Sequence, residues 1–503
     1  MMEPILNSYP VWLRVEHFVN ILFITLFIRS GIEILGTFPK LHTSVHTPIG
    51  GQWAQFTVKK KRKLKYYPVS GEYDDYSPIV SLPGHGDLGQ GRYWHFISVM
   101  FWVALMFIYW ALLLFTGQWR RYVPTDLDVF PQAFNDMVSY LAFQIPPAME
   151  GYPFNAVQML SYGFVVLVLP VIMMVTGAFQ SPAINSHFPR ISRLMGGRQV
   201  IRTVHFLGLL AYVAFIVIHV LMVVMHGYGH ETSKMVFGHA HNELAGALIF
   251  TAGLALIVAF HVWATLTSTY KPKVVEKLHN ATVRPFSRFL RSKMPSRQYE
   301  AYRDHEVTPG DLHRASGMPP ASEEYIAMMC NDFDDDYVLE IGGLVERPMR
   351  LTMPELRALA AGHSQNTVHH CVQGFSSVGA WDGISFPDLL ELVKPLEGAT
   401  DVVVHSFQNM SRDDDNYSGS YYYESMPMVE AKQPQTMLAV GYAGDELPIK
   451  NGAPVRLRVE TSTGFRSAKW LDRIEVVNRF DIIGNGMGGF FEDTGSYDRI
   501  QMI

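Results

Sequence analysis

Long apolar runs dominate the first half of the chain, whereas apolar and polar positions alternate over most of the second half. Five runs in the first half reach about 20 residues, the length that an α-helix needs to cross a lipid bilayer. They lie at 11–36, 95–116, 156–179, 204–226 and 244–268. The pattern therefore predicts a membrane all-α bundle of five transmembrane helices within residues 1–270.

The rest of the chain is predicted to form a linker and one folded domain. Residues 271–325 are basic and contain several prolines, which favours a linker over a strand or a long helix. Residues 326–503 contain short strands bounded by Gly, Asn and Pro, with a helix at 386–394. We therefore expect a C-terminal α+β domain.

Charge and cysteine count exclude several classes of protein. The net charge is −5, so no basic excess suggests a nucleic acid partner. Cys330 and Cys371 are the two cysteines, which is too few for a disulfide framework or for an iron–sulfur cluster held by four thiolates. The motif C-x-x-C-H does not occur, so any haem must be held without thioether bonds.

His205 and His219 of the fourth predicted helix are separated by fourteen positions. On an α-helix this spacing is about 40° short of four full turns, with a rise of about 21 Å. Both side chains therefore lie on one side of the helix, near opposite faces of the membrane. Because successive helices run in opposite directions, His95 lies at the depth of His205, and His17 at the depth of His219. Two such pairs suit two stacked haems with two axial imidazoles each.

Other interpretations of the histidines stay open. A single histidine inside a membrane can also serve as a hydrogen-bonding group. His261 of the fifth helix has no partner at its depth, and we expect a structural role or a contact to a haem propionate. A further cluster follows the fourth helix, where a solvated loop is favoured over a quinone or proton-handling site: His226, His230, His239 and His241.

At these residues the first 270 positions resemble the di-haem cytochrome b subunits of nickel hydrogenases and formate dehydrogenase, within the cytochrome b561-like group. The matching features are RVEHFVN around His17, His95 at the second helix, the H-x13-H spacing in the fourth, and KMVFG after it. The resemblance implies two haem b groups and electron exchange with quinone in the membrane. The loop at 38–92 is longer than the resemblance predicts.

Cys371 is predicted to lie at the end of a strand, before a glycine-containing loop and a helix, in TVHHCVQG. A thiolate on such a loop can bind a metal, although a buried, inert cysteine fits the same pattern. Further along, NGAPVRLRV and GFRSAKW combine glycine turns with Arg and Lys. Backbone amides with these side chains predict a surface that binds an oxyanion such as a phosphate group.

These stretches resemble the molybdopterin domain of the sulfite oxidase superfamily over about residues 335–503. The form that matches is the catalytic subunit of a bacterial methionine sulfoxide reductase that pairs with a haem membrane protein. The resemblance implies that Cys371 ligates molybdenum. It also implies cofactor contacts from Ser406, Asn451, Arg456, Ser467, Ala468 and Lys469. An immunoglobulin-like dimerisation domain and the arginine cluster of sulfite-oxidising members are not recognised, which counts against sulfite as substrate.

Together these features predict a membrane-bound, molybdopterin-dependent oxidoreductase. The expected electron route joins molybdenum, the His95–His205 haem, the His17–His219 haem and quinone. Three functions stay open: a quinol-driven sulfoxide or N-oxide reductase, which the resemblance favours; a dehydrogenase of sulfite or another oxyanion that reduces quinone; and an electron carrier with a non-catalytic C-terminal domain. The expected partners are quinone, a small-molecule substrate and the lipid bilayer, and a homodimer is compatible with the sequence.

The distribution of Lys and Arg predicts the side of the membrane on which the molybdenum domain lies. On its side, the segments 38–92, 181–203 and 271–297 carry eight, four and eight of these residues. The opposite side carries Arg14, Arg120, Arg121 and Lys234. Because basic loops are retained inside and no export signal is evident, we expect a bacterial inner-membrane protein with the molybdenum domain in the cytoplasm.

Overall fold

The structure is a computed structural model, and it describes residues 6, 8–48, 50–57, 74–292, 303–310, 312–410, 421–460, 462–497 and 499. Within these residues, five helices are long and apolar enough to cross a membrane. They are called here the first to fifth membrane helices: Val11–Thr37, Leu88–Phe115, Ala156–Ala178, Gly197–Met225 and Glu243–Tyr270. The predicted five-helix bundle is confirmed. The basic run at 59–65 lies outside the described residues.

Two membrane helices begin earlier than their apolar runs predicted. The second begins at Leu88 and the fourth at Gly197, rather than at 95 and 204. The added turns contain buried polar side chains, among them Arg92 and Arg198. These turns are covered by the C-terminal domain instead of lipid, so they need no apolar surface. Hydropathy therefore marks the lipid-facing part of each helix and not its full length.

The third membrane helix contains a π-helical turn at Phe164–Val168, directly before Pro170. Proline has no N–H, so it leaves the carbonyl four residues earlier without its helical hydrogen bond. That carbonyl belongs to Val166, and the indole N–H of Trp110 donates to it at 2.9 Å. A neighbouring helix thus supplies the missing hydrogen bond, as a membrane interior requires.

Shorter helices connect the membrane helices and extend into the predicted linker. Pro272–Thr282 packs against the second membrane helix, where the rings of Tyr93 and His279 lie 4.5 Å apart. The segment 271–325 is therefore partly helical, and the predicted boundary at 325 falls within a helix. The connecting helices are Val129–Leu141, Pro182–His187, Pro189–Leu194, Tyr228–Phe237, Pro272–Thr282, Arg284–Ser292 and Glu323–Cys330.

The C-terminal region is an α+β domain with two five-stranded sheets, as predicted. One sheet has the strand order Met349–Thr352, Val338–Gly343, Leu471–Val477, Asp401–Asn409, Tyr421–Pro427. The other has the order Asp445–Glu446, Met437–Tyr442, Ser376–Ser385, Ser364–His370, with Arg456–Arg458 also paired to Met437–Tyr442. The helices are Met353–Ala360, Phe386–Val393, Met428–Ala431 and Phe490–Asp493.

One buried cluster holds these sheets and helices together, and Trp381 and Trp470 are its largest members. Burial of apolar side chains from both sheets is the main stabilising contribution to such a domain. Two members of this cluster, Tyr422 and Ala468, also line the site described below.

Candidate functional site

Cys371 occupies a tight turn between two antiparallel strands. Its N–H donates to the carbonyl of Phe375 at 3.0 Å, and its carbonyl accepts from the N–H of Gly374 at 3.1 Å. Gly374 has a φ of +107°, and a Cβ there would lie 3.0 Å from Nε of Arg202. Glycine is therefore required at this position, both for the backbone angle and for the close approach of Arg202.

Cys371 lines a cavity of about 200 Å³. Five of the six predicted cofactor contacts lie in the wall of this cavity: Asn451, Arg456, Ser467, Ala468 and Lys469. Ser406 does not line it. Its hydroxyl donates to the carbonyl of Lys469 at 2.7 Å and accepts from the N–H of Gln408 at 3.0 Å. Ser406 thus fixes the backbone of a wall residue.

The unsatisfied polar atoms at the cavity fit a polar ligand. Asn451 is fully buried, and within the described part of the chain neither polar atom of its amide has a hydrogen-bond partner. Nε of Arg456 is also buried and has no hydrogen-bond partner among the described residues. Each such buried group costs about 1–3 kcal/mol unless it is paired. A cofactor with donors and acceptors, as a pterin has, would satisfy these atoms.

The charges at the cavity fit an anionic group. Burial and nearby Arg456 lower the pKa of the Lys469 ammonium well below its ordinary value. Lys469 donates to the carbonyls of Ser316 and Lys450 at 2.6 and 3.0 Å, which leaves one of its three donors for a ligand. A phosphate placed there would stabilise the charged form of Lys469, because opposite charges raise the pKa of an ammonium group.

Burial also raises the pKa of the Cys371 thiol to about 11. By itself, then, this cysteine is an inert thiol and not a nucleophile at neutral pH. A coordinated metal ion removes the thiol proton outright, so the site can hold a metal–thiolate bond. The residues present fit a molybdopterin group with Cys371 as its thiolate.

Part of the cavity wall comes from the segment that was predicted to be a linker. His313, Arg314, Ser316 and Gly317 line the cavity, and Nδ1 of His313 is 3.0 Å from the hydroxyl of Tyr442. No spacing or motif in the sequence identified these four residues. They lie near the cavity because the preceding residues pack on the sheet beside the Cys371 turn, where the N–H of Thr308 donates to the carbonyl of Val378 at 2.8 Å.

In the helix bundle, the structure brings His17 and His219 together. Their ring centroids are 6.3 Å apart, which leaves room for one metal ion, since a metal–imidazole bond is about 2 Å long. Nδ1 of His17 is buried and has no hydrogen-bond partner among the described residues. Phe215 stacks on His219 with a centroid distance of 5.4 Å. The arrangement fits a haem between the two rings.

His95 and His205 are each held by a hydroxyl group of a neighbouring helix. Nδ1 of His95 is 3.0 Å from the hydroxyl of Ser30, and Nδ1 of His205 is 2.9 Å from the hydroxyl of Thr176. Both hydroxyls donate their own proton to a backbone carbonyl of their helix, so each accepts a proton from Nδ1. This fixes the tautomer that leaves Nε2 free for a metal.

Ser30 and Thr176 were not identified from the sequence. A hydroxyl within an apolar helix can bond to its own backbone, so its presence alone does not indicate a second role. The other membrane histidine, His261, has both ring nitrogens engaged, with Thr25 at 2.8 Å and Arg29 at 2.9 Å. These contacts agree with the structural role expected for it.

The fourth membrane helix begins against the Cys371 turn. Arg198 donates to the carbonyls of Cys371 and Phe375 at 3.3 and 3.1 Å, and Gln199 donates to the carbonyl of Gly374 at 3.3 Å. His205 follows on the same helix, about 10 Å further along its axis. The sequence placed Arg198 in the basic loop at 181–203, because it precedes the apolar run of the fourth helix.

Comparisons with known proteins divide the chain in the same way. Residues 8–238 match the family model described as prokaryotic cytochrome b561. Residues 327–481 match the model described as oxidoreductase molybdopterin binding domain. The N-terminal region is thus a cytochrome b561 region of a multi-pass membrane protein, and the C-terminal region is a molybdopterin-binding oxidoreductase domain.

Two curated relatives carry related names. "Putative protein-methionine-sulfoxide reductase subunit YedZ1" of Azospira oryzae is 34% identical over 157 residues, which is 31% of this chain and 53% of that protein. "Protein-methionine-sulfoxide reductase catalytic subunit MsrP" of Gluconobacter oxydans is 36% identical over 147 residues, 28% of this chain and 47% of that protein. The chain spans about half the length of each relative.

Among solved structures, the sulfane dehydrogenase SoxCD of Paracoccus pantotrophus is similar over 29% of this chain and 39% of its own chain. The sequence identity is 22% and the TM-score is 0.24. This likeness is too limited to bear on function.

Proposed function

We propose that this chain, which joins a cytochrome b561 region to a molybdopterin-binding oxidoreductase domain, is a quinol-driven reductase. Electrons would pass from quinol through two b haems to the site at Cys371. There a sulfoxide or an N-oxide would lose its oxygen atom. The two relatives named as subunits of a methionine sulfoxide reductase support a sulfoxide as the substrate class.

The contact between Arg198 and the Cys371 turn is the observation on which this proposal depends most. It joins the proposed thiolate ligand to the helix that carries His205 and His219. Arg198 is buried, so the contact itself is shielded from solvent. A short, covalently and hydrogen-bonded path of this kind allows electron exchange without an iron–sulfur relay.

The side chains have distinct proposed roles. Molybdenum, when bound, supplies two-electron oxygen-atom transfer. Cys371 holds it, while Asn451 and Arg456 satisfy the pterin and Lys469 neutralises its phosphate. In the bundle, His95 with His205 and His17 with His219 hold one haem each, and the hydroxyls of Ser30 and Thr176 orient the first pair.

Anaerobic reoxidation of the reduced haems tests this function. The purified protein is reduced with a stoichiometric amount of dithionite, and its haem spectrum is followed after addition of sulfoxides, N-oxides or oxyanions. We expect rapid reoxidation by a sulfoxide. Reduction of the oxidised haems by sulfite, with no reaction toward any sulfoxide or N-oxide, would instead establish the dehydrogenase. A quinol should reduce both haems in the same preparation.

Arg198→Gln sharpens the test, because glutamine is too short to maintain both hydrogen bonds to the carbonyls of Cys371 and Phe375. We expect unchanged haem and molybdopterin contents, and haem reoxidation slowed about tenfold. Arg120→Gln, a change on the opposite face, serves as the control. Equal reoxidation rates in the wild type and Arg198→Gln would contradict the proposed route through this contact.

We also propose that the molybdenum domain lies in the cytoplasm, on the basis of the unequal distribution of Lys and Arg across the two faces. A C-terminal green fluorescent protein fusion should fluoresce, and a matched alkaline phosphatase fusion should be inactive. The reverse pair of results would place the domain on the outer side.

A further inference from the structure

A group of buried acids lies behind the cavity, outside the residues assigned to the cofactor. Glu424, Glu430 and Glu492 are 1%, 3% and 3% exposed. The carboxylates of Glu424 and Glu492 approach the same point beside Gly489, where a Cβ would lie 2.9 Å from the first and 2.3 Å from the second. Two buried carboxyl groups this close do not both ionise readily.

The cations near this group are engaged mainly by other acids. Arg466 makes its shorter ion pair with Glu430, at 2.9 Å, and Arg499 pairs with Asp401. Glu424 is 3.8 Å from Nε of Arg466, which is too long for a hydrogen bond. The charged and titratable groups that face Glu424 among the described residues are Tyr422, Tyr423, Arg466, Glu492 and Arg499.

The hydrogen bonds of Tyr422 indicate where a proton resides. The hydroxyl of Tyr422 lies 2.5 Å from the carbonyl oxygen of Phe465 and 3.1 Å from Oε1 of Glu424. A phenol has one proton to donate, and the carbonyl can only accept. With that proton directed to Phe465, the contact to Glu424 is a hydrogen bond only if the carboxyl is protonated and donates to Tyr422.

The electrostatic setting agrees with this geometry. Burial, followed by the neighbouring Glu492 carboxylate, raises the pKa of the Glu424 carboxyl well above its ordinary range, against the opposing effect of Arg466. Tyr422 itself lines the cavity that contains Cys371. A protonated acid thus lies one hydrogen bond away from a side chain in the cavity wall.

We propose that Glu424 stores a proton for the cavity and delivers it through the hydroxyl of Tyr422. The proposal rests on the proposed function, in which a sulfoxide, two protons and two electrons give a sulfide and water. The electrons come from the haems. For the first proton, the Tyr422 O–H turns from the Phe465 carbonyl toward the departing oxygen and releases its proton there, and Tyr422 takes the Glu424 proton in its place, so Glu424 becomes a carboxylate. After Glu424 is protonated again, the same route supplies the second proton. Glu492, at the same point beside Gly489, then lies on the route by which a proton returns.

Two variants remove successive parts of this route. Glu424→Gln keeps the shape of the side chain and cannot exchange a proton, and Tyr422→Phe keeps the ring contacts to Phe490 and Phe491. Proton transfer by a positioned group contributes about 10²–10⁴-fold to rate. We therefore expect each variant to lower kcat for sulfoxide reduction about 100-fold, with normal haem and molybdopterin contents. Glu424→Asp should restore part of the activity.

Tyr423→Phe is the matched control, because it removes a hydroxyl from the adjacent position of the same strand. The Tyr423 hydroxyl is directed to Asp493 and the carbonyl of Ile483 and not to the cavity. We expect kcat and its pH profile to match the wild type. If Tyr423→Phe lowered kcat as much as Tyr422→Phe, the loss would reflect the strand's structure, and the proton route would be refuted.

An infrared readout separates this proposal from the proposed function. A protonated carboxyl gives a C=O band, which should be present in the wild type at pH 7, shift in D₂O and disappear in Glu424→Gln. If no sulfoxide is reduced but the band behaves in this way, the substrate class is wrong and the proton store stands. If the wild type reduces sulfoxides and Glu424→Gln shows the same band and the same kcat, the proton store is refuted.

Discussion

The two cofactor regions are built in different ways. In the helix bundle, each predicted haem site uses one histidine from each of two helices, and the ring centroids of His17 and His219 lie 6.3 Å apart. The cavity at Cys371 is assembled from loops and strands that are far apart in the sequence, from His313 to Tyr497. The first depends on helix spacing and depth, whereas the second depends on how two sheets fold together.

The two cofactor regions also differ in whether their polar atoms find hydrogen-bond partners within the protein. In the bundle, His95 and His205 have hydroxyl partners on neighbouring helices, so their rings are oriented by the protein alone. In the cavity, both polar atoms of the Asn451 amide lack a protein partner among the described residues. The rings of His95 and His205 are therefore expected to keep their orientation without a cofactor, and the cavity is expected to depend on its cofactor for order.

The largest expected effect comes from replacing the single proposed thiolate ligand. Cys371→Ser should abolish turnover, because an uncharged hydroxyl is a poor replacement for a thiolate on molybdenum, and both haem spectra should be unchanged. Turnover with a sulfoxide and haem difference spectra measure the two effects. Cys330→Ser is the control, since Cys330 is exposed at the end of a helix. An active Cys371→Ser variant would show that the cavity is not the molybdenum site.

Removal of one histidine should affect one region and spare the other. His205→Ala should lower the haem content from two to one per chain, because the His17–His219 pair is unaltered, and molybdopterin should remain bound. A pyridine haemochrome assay and a molybdenum determination measure these quantities. His239→Ala, an exposed loop position, should retain both haems. Loss of both haems in His205→Ala would mean that the two sites are not independent.

A smaller effect is expected within the cavity wall. Asn451→Ala removes an amide that has no protein partner in the described structure, so its loss should weaken cofactor binding, by about tenfold if it acts as outer-shell partners do. Ser406→Ala should have less effect, because Ser406 bonds only to backbone groups. Molybdopterin content after dialysis distinguishes the two. A stronger loss in Ser406→Ala would contradict the assignment of Asn451 to the cofactor.

The smallest expected effect is a surface contribution to stability. The hydrogen bond from His405 lowers the pKa of Glu475 from 4.5 to about 2. A carboxyl group whose pKa is lower in the folded than in the unfolded state stabilises the folded state at pH values above its unfolded-state pKa. This stabilisation is lost as the pH falls from about 4.5 toward 2. Because Glu475 is partly exposed, we expect less than about 1 kcal/mol. The Tm of Glu475→Gln should lie below the wild type at pH 7 and converge with it near pH 2.

Much of the helix bundle could be predicted from the sequence. The apolar runs identified all five membrane helices. The spacing of His205 and His219 predicted that both side chains lie on one side of the fourth helix. These features follow from local rules, namely the length of a membrane span and the pitch of a helix. The helix starts at Leu88 and Gly197 could not be predicted in this way, because the polar turns there are covered by a distant part of the chain.

The sequence by itself determined the two kinds of region, the four histidines and the cavity residues that lie in recognisable motifs. Only the tertiary structure decided that Arg198 holds the Cys371 turn, that Ser406 supports the wall from behind, and that His313 reaches the cavity. These contacts join positions far apart in the chain, and no local pattern specifies them. They depend on the packing of whole sheets and helices, which is a property of the folded chain and not of any segment.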